Sequence, residues 1–297
     1  MCYRKRIIFF LSAVLFGILL SSNSVFAGEA DSWVYSFSMG AGKNNIPLKN
    51  PQSLFVDITT ERYYIVDSGN NRLLSFDKNG LPLHSFDANG DFDKPVDMIK
   101  GDAETLYVIE KGKGSVTRIN LKNREVEPLF LTVANKLLYP QRITKSDSTV
   151  LVLDKLSGSI FMISEKFSLV KPIECVDCNE AFVDFEIYEE VIYAITERTG
   201  RVFTFSTDGK VRGEILLNPS PQFPVSLTLD KTKNIYVLER HKAQVSVYTP
   251  KGKIKYKFLE KGAKAGQLSY PIDMQFDPWG RLCVVDEGNG RVSVYDR

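Results

Sequence analysis

Histidine is almost missing from this chain: His84 and His241 are the two among 297 residues. That scarcity excludes a multi-histidine metal centre and weakens any Ser-His or Cys-His nucleophilic mechanism. Cysteine is scarce too. Four in this length cannot make a disulfide-dense mini-fold. Nor is there a surplus of one charge, since 38 Lys+Arg against 36 Asp+Glu leave a net +2. A polybasic chain and a highly charged disordered one are both excluded. After residue 20 there is no long hydrophobic run, and the one at residues 7–20 falls short of the ~20 residues that span a bilayer. What is present, 43% apolar and 11% aromatic residues, is enough for a folded core without metal or cross-link. Length alone, at roughly 150 residues per domain, suggests two domains.

The first 27 residues read as a secretory signal peptide. Arg4, Lys5 and Arg6 form a basic start, residues 7–20 the apolar stretch, and Val25 and Ala27 the small residues of a cleavage site. Export to the periplasm or exterior is expected, with no stable membrane insertion after cleavage. No Cys follows Ala27 to carry a lipid. Removing this segment takes away three basic residues and no acidic ones, leaving 35 against 36 and a net −1. Nucleic acid is therefore not an expected partner.

The remaining chain, residues 28–297, is repetitive. A β-branched, aromatic run ends in a polar residue at Asp67, Glu110, Asp154, Thr196, Glu239 and Asp286, at spacings of 43, 44, 42, 43 and 47. A period near 44 with short strands indicates propeller blades, so the two-domain prior gives way to one ring. Each unit reads as four strands, a to d. Strand a follows Pro51, Pro95, Pro140, Pro224 or Pro271, with Phe182 standing in the fourth unit. Strand b is the β-branched run, strand c alternates, and strand d is charged and outermost. The repeats fall near residues 51–94, 95–139, 140–180, 181–223, 224–270 and 271–297. The last lacks strand d, and residues 31–39 offer one strand with no a, b or c of their own. They are expected to complete the sixth blade.

Pro271, Ile272, Asp273 and Met274, followed by residues 284–292 (VVDEGNGRV), resemble the NHL repeat, as do residues 65–72 (IVDSGNNR). The resemblance spans the whole chain after residue 27, with degenerate third and fourth units (Leu151 for Tyr, Thr196 for Asp). It implies an all-β, six-bladed β-propeller of four-stranded antiparallel blades, its ring closed by the N-terminal strand. It says little of function, because NHL proteins include partner platforms, RNA binders, sensor domains and a few lyases.

Three features are candidates for chemistry. The acids ending strand b, Asp67, Glu110, Asp154, Glu239 and Asp286, recur blade after blade, which marks a structural role: accepting N–H groups of their own loops and pairing with Arg72 and Arg291. Two residues into strand a the repeat family usually has a small residue. This chain has Ser53, Asp97, Arg142, Asp184, Ser226 and Asp273, which should gather at the mouth of the central channel. They suit a small polar ligand. Alternatively, Asp97, Asp184 and Asp273 could hold a hard cation such as calcium. Against that, Arg142 lies between Asp97 and Asp184 in blade order and would neutralise them. Finally, Cys175 and Cys178 form a CxxC with no haem-type His after it and no second pair for zinc. A loop disulfide is expected, with Cys283 a buried thiol on strand b. His241, beside Arg240 and Lys242, reads as a solvated loop residue or a contact for an anionic partner. Residues 218–224 (NPSPQFP) form an exposed Pro/aromatic loop suited to protein or peptide binding. The expected function is a non-enzymatic binding or scaffold module for a protein, peptide or small polar ligand. The alternative is a cation-dependent hydrolase or lyase.

Overall fold

A computed structural model describes residues 33–297 apart from 42–45, 103, 147–148, 165–166, 168–169, 174, 176–177 and 179. The expected signal peptide lies outside the described residues. Residues 31–297 form one compact unit.

Six antiparallel four-stranded sheets account for nearly all of that unit. Blade one contains Pro51–Asp57, Arg62–Asp67, Arg72–Asp77 and Pro82–Phe86 as strands a to d. Blade two runs from Pro95–Lys100 through Thr105–Glu110 and Ser115–Asn120 to Val126–Leu129. In blade three the strands are Pro140–Ser146, Thr149–Asp154, Ile160–Ser164 and Val170–Pro172. Blade four has Phe182–Tyr188, Val191–Thr196, Arg201–Ser206 and Val211–Leu216. Blade five has Pro224–Leu229, Ile235–Glu239, Gln244–Tyr248 and Ile254–Phe258. In blade six, Pro271–Phe276, Leu282–Asp286 and Arg291–Asp296 take Val34–Met39 as their outer strand. The N-terminal strand pairs antiparallel with Arg291–Asp296, from Val34 opposite Asp296 to Met39 opposite Val292. The ring is thus closed by its own two ends, as expected.

The burial pattern explains the strand types. Every residue of Ile235–Glu239 and Leu282–Asp286 is buried, which is why strand b reads as a continuous apolar run. Strand d alternates half-buried with exposed, as in Ile254–Phe258. The core is divided into clusters, each shared by neighbouring blades. Met39, Tyr63, Ile65, Val285 and Val292 join blades six and one, and Leu151, Phe182, Ile192 and Phe205 join three and four. One element was not expected. Thr132–Val133 pairs with Lys136–Leu137 in a small hairpin between blades two and three. Its turn residues Ala134 and Asn135 both have positive φ, 48° and 62°, a hairpin geometry usually announced by Asn-Gly.

Candidate functional site: the channel ring and the loop face

All six strand-a residues singled out in the sequence sit at one structural position. In every blade the a–b register slips between the first strand residue and the second after it, at Pro51/Ser53, Pro95/Asp97, Pro140/Arg142, Phe182/Asp184, Pro224/Ser226 and Pro271/Asp273. This bulge re-aims the side chain that follows it. Asp97, Arg142, Asp184 and Asp273 line a central cavity of about 520 Å³. Ser53 and Ser226 do not: both are fully buried in the wall, where a small hydroxyl fits between neighbouring strands. That part of the expected mouth set is corrected.

The aspartates are committed to the adjoining blade. Asp97 accepts the Ile143 N–H at 2.8 Å, Asp184 that of Leu227 at 2.9 Å, and Asp273 that of Leu54 at 3.1 Å. The Ser226 hydroxyl accepts the Met274 N–H at 3.2 Å in the same way. Each bond ties the innermost strand of one blade to that of the next. Arg142 departs from this pattern. Its guanidinium crosses the cavity, with Nε 3.4 Å from Asp184 and Nη2 3.5 Å from Asp273, and it donates to the Ile272 carbonyl at 3.0 Å. Burial works against its charge, but Asp273, Asp184 and Asp97 together raise its pKa and hold it protonated. Burial pushes the carboxyls up, Asp97 to about 7 and Asp184 to about 6, against the lowering effect of Arg142. Deeper in the cavity Glu186 is pushed up to about 8 by burial, with Asp184 adding to the effect. Its buried Oε2 has no hydrogen-bond partner among the described residues. Sequence reading missed Glu186. It stands two residues beyond Asp184 on the same strand, where period-2 alternation returns a side chain to the channel.

The acids ending strand b are structural and pair with Arg72 and Arg291 as expected, but most of the N–H groups come from another loop. The N–H groups they accept belong mainly to the preceding d–a loop: Lys49 to Asp67, Asp93 to Glu110, Tyr139 to Asp154, Gln222 to Glu239 and Ser269 to Asp286, at 2.6–2.8 Å. Their other oxygens take side chains of the b–c loop or strand c, such as Arg72 on Asp67 at 2.7 Å and Arg291 on Asp286 at 3.0 Å. Each carboxylate staples two loops of one face together. In blade four Thr196 replaces the acid, and Glu180 of the d–a loop reaches back to the Thr199 N–H and hydroxyl.

Those stapled loops frame a second cavity, about 280 Å³, at the mouth of the channel. The residue after each strand-a start forms its floor: Gln52, Val96, Gln141, Val183, Val225 and Ile272. Lys111, Lys155, Glu197, Arg240 and His241 rim it from the b–c loops, and Phe223 from the 218–224 loop. Arg240 is paired with Glu287. The Phe223 and His241 rings meet edge-to-face at 4.8 Å, and His241 and Tyr270 at 6.4 Å. His84 lies on the outer strand of blade one, so the two histidines are on separate layers. Cys175 and Cys178 are joined in a disulfide, and Cys283 is a buried free thiol, both as expected.

No protein-family model matches the sequence, so the NHL resemblance stands on the motifs alone, and no curated protein matches it. The chain is similar in structure to an inactive histidine-to-alanine variant of virginiamycin B lyase from Staphylococcus aureus with quinupristin. The identity is 15%, over 85% of this chain and 83% of that one, with a TM-score of 0.63. A gluconolactonase from Xanthomonas campestris is 12% identical over 84% and 86%, TM-score 0.64. An auxiliary nutrient binding protein from Bacteroides thetaiotaomicron is 10% identical over 84% and 69%, TM-score 0.63. At these identities the likeness establishes the architecture: this chain is a six-bladed β-propeller.

Proposed function

We propose that the protein is an exported binding module whose recognition surface is the face built from the d–a and b–c loops. The observation that carries this reading is the position of Arg142. Its guanidinium spans Asp184 and Asp273, while the outer oxygen of each channel aspartate holds a neighbouring strand. A ring used this way is a girdle between blades, which leaves the loop-face cavity as the place where a ligand meets side chains not already committed. Capture from envelope extract tests the reading. A Lys111→Glu/Lys155→Glu variant should lose what the wild type retains, and a Lys171→Glu/Lys255→Glu variant on the outer strands should keep it. The reverse pattern overturns the proposal.

A second reading, a hydrolase or lyase using calcium at Asp97, Asp184 and Asp273, draws support from the raised carboxyl pKa values of Asp97 and Asp184 and from the lyase and gluconolactonase among the structural neighbours. A cation there would have to displace a buried guanidinium from two of its three carboxylates. Among the described residues no group of three or more His, Cys, Asp and Glu is arranged to hold a metal ion. Calorimetric titration with calcium and magnesium should give no heat. A one-to-one isotherm lost in Asp273→Asn would instead establish the cation site that the enzyme reading requires.

A further inference from the structure

Two exposed aromatic residues at the loop face have backbones that disfavour them. Phe223 and Tyr270 each precede the proline that opens strand a, in blades five and six, with φ of 52° and 47°. Asn50 and Lys94 occupy the same left-handed position in blades one and two. Glycine or asparagine takes that conformation cheaply, and a bulky side chain there is an outlier. Burial does not repay the strain, since Phe223 is 65% exposed and Tyr270 46%. Bulky residues held in sparsely populated conformations point to a use on the surface they present.

The surroundings indicate what that use is. The two rings flank His241 on blade five, and the Arg240 guanidinium lies 5.8 Å from the Tyr270 centroid. In a six-membered ring, blades two and three face blades five and six. There Lys111 and Lys155 rim the same cavity, and their ammonium groups have no carboxylate partner among the described residues. Glu197 is a rim acid with no ion pair among the described residues, whereas Glu287 is held by Arg240 and Gln52. Gln52, whose amide also donates to Glu287, and Gln141 form part of the floor. A ring to stack, hydroxyls for amides and one negative charge for two lysines describe an acidic sugar, and about 280 Å³ holds one such residue.

Building on the loop-face reading, we propose that this cavity binds the terminal residue of a uronic-acid-bearing saccharide, with its ring on Phe223 and His241 and its carboxylate on Lys111 and Lys155. Isothermal titration with galacturonate and glucuronate, against glucose and benzoate, tests it on the full chain. A uronate should bind one-to-one, about tenfold tighter than glucose or benzoate, and weaken as salt rises. Lys111→Gln/Lys155→Gln should lose about tenfold in affinity. Phe223→Asn should lose a similar factor while melting at or above the wild-type temperature, because the strain is relieved. Benzoate binding as tightly as a uronate, no uronate binding at millimolar concentration, or unchanged affinity in Phe223→Asn would each overturn the proposal. If uronates fail while extract capture still depends on Lys111 and Lys155, this inference falls and the loop-face reading stands.

Discussion

Arg142 compensates carboxylates that are largely buried, and removing it leaves their charge uncovered. Arg142→Met should cost ~3–5 kcal/mol at pH 8. The penalty should shrink toward pH 5, as Asp97 and Asp184, already raised to about 7 and about 6, take up protons. Chemical denaturation at several pH values measures it, and a pH-independent loss would contradict the charge-compensation role. Glu186 gives the complementary case. Its folded pKa of about 8 lies above the ordinary value of 4.5, so the folded state binds the extra proton. The associated stability is complete below about pH 4.5 and is lost as pH rises through 8. Glu186→Gln should therefore gain on the wild type by ~1 kcal/mol or more between pH 5 and 8, and an unchanged difference across that range would refute the assignment. At the cysteines, denatured, unreduced protein lacking residues 1–27 should titrate one thiol, Cys283. Three thiols would show that Cys175 and Cys178 are open.

The N-terminal strand is the element on which closure depends. Trp33, just before it, stacks on Phe258 at 5.5 Å and meets Tyr236 and Phe276 at 6.1 and 6.0 Å, bridging blades five and six. Trp33→Ala should cost ~2–3 kcal/mol. Deletion of residues 31–39 should lower the melting temperature of the whole ring by about 10 °C, because it uncovers Met39's cluster and the edge of Arg291–Asp296. An unchanged transition would show that blade six stands alone. Much at this scale was legible in advance. Proline-led strands, a buried β-branched run every 42 to 47 residues and an orphan strand at 31–39 together specify blade number and closure. The small 132–137 hairpin was not legible, because its turn lacks the usual residues. Nor was the bulge behind Ser53 and Asp97. Alternation predicts which face a side chain takes, whereas a one-residue slip is set by how six inner strands crowd one axis. That slip buries Ser53 and Ser226 and sends Arg142 across the cavity. Left-handed Phe223 was equally invisible, since φ is not written in a Pro/aromatic motif.

On the loop-face proposal, stability and recognition fall to largely different rings of side chains, although Arg142 borders both cavities. The inner ring, Asp97, Arg142, Asp184 and Asp273, joins blade to blade. The outer acids, Asp67 to Asp286, hold the loops. The loop face, with Lys111, Lys155 and Phe223, is the proposed recognition surface. Near-neutral net charge fits this proposal, in which recognition would depend on a local cationic rim and not on a field over the whole surface. One paired measurement tests that separation most directly: melting temperature and ligand retention recorded together on Arg142→Met and on Lys111→Glu/Lys155→Glu/Phe223→Asn. The account predicts that the first loses stability at pH 8, and that the second melts like the wild type and retains nothing. An Arg142 variant that melts normally but loses its ligand, or a loop-face variant that retains it, would contradict the account.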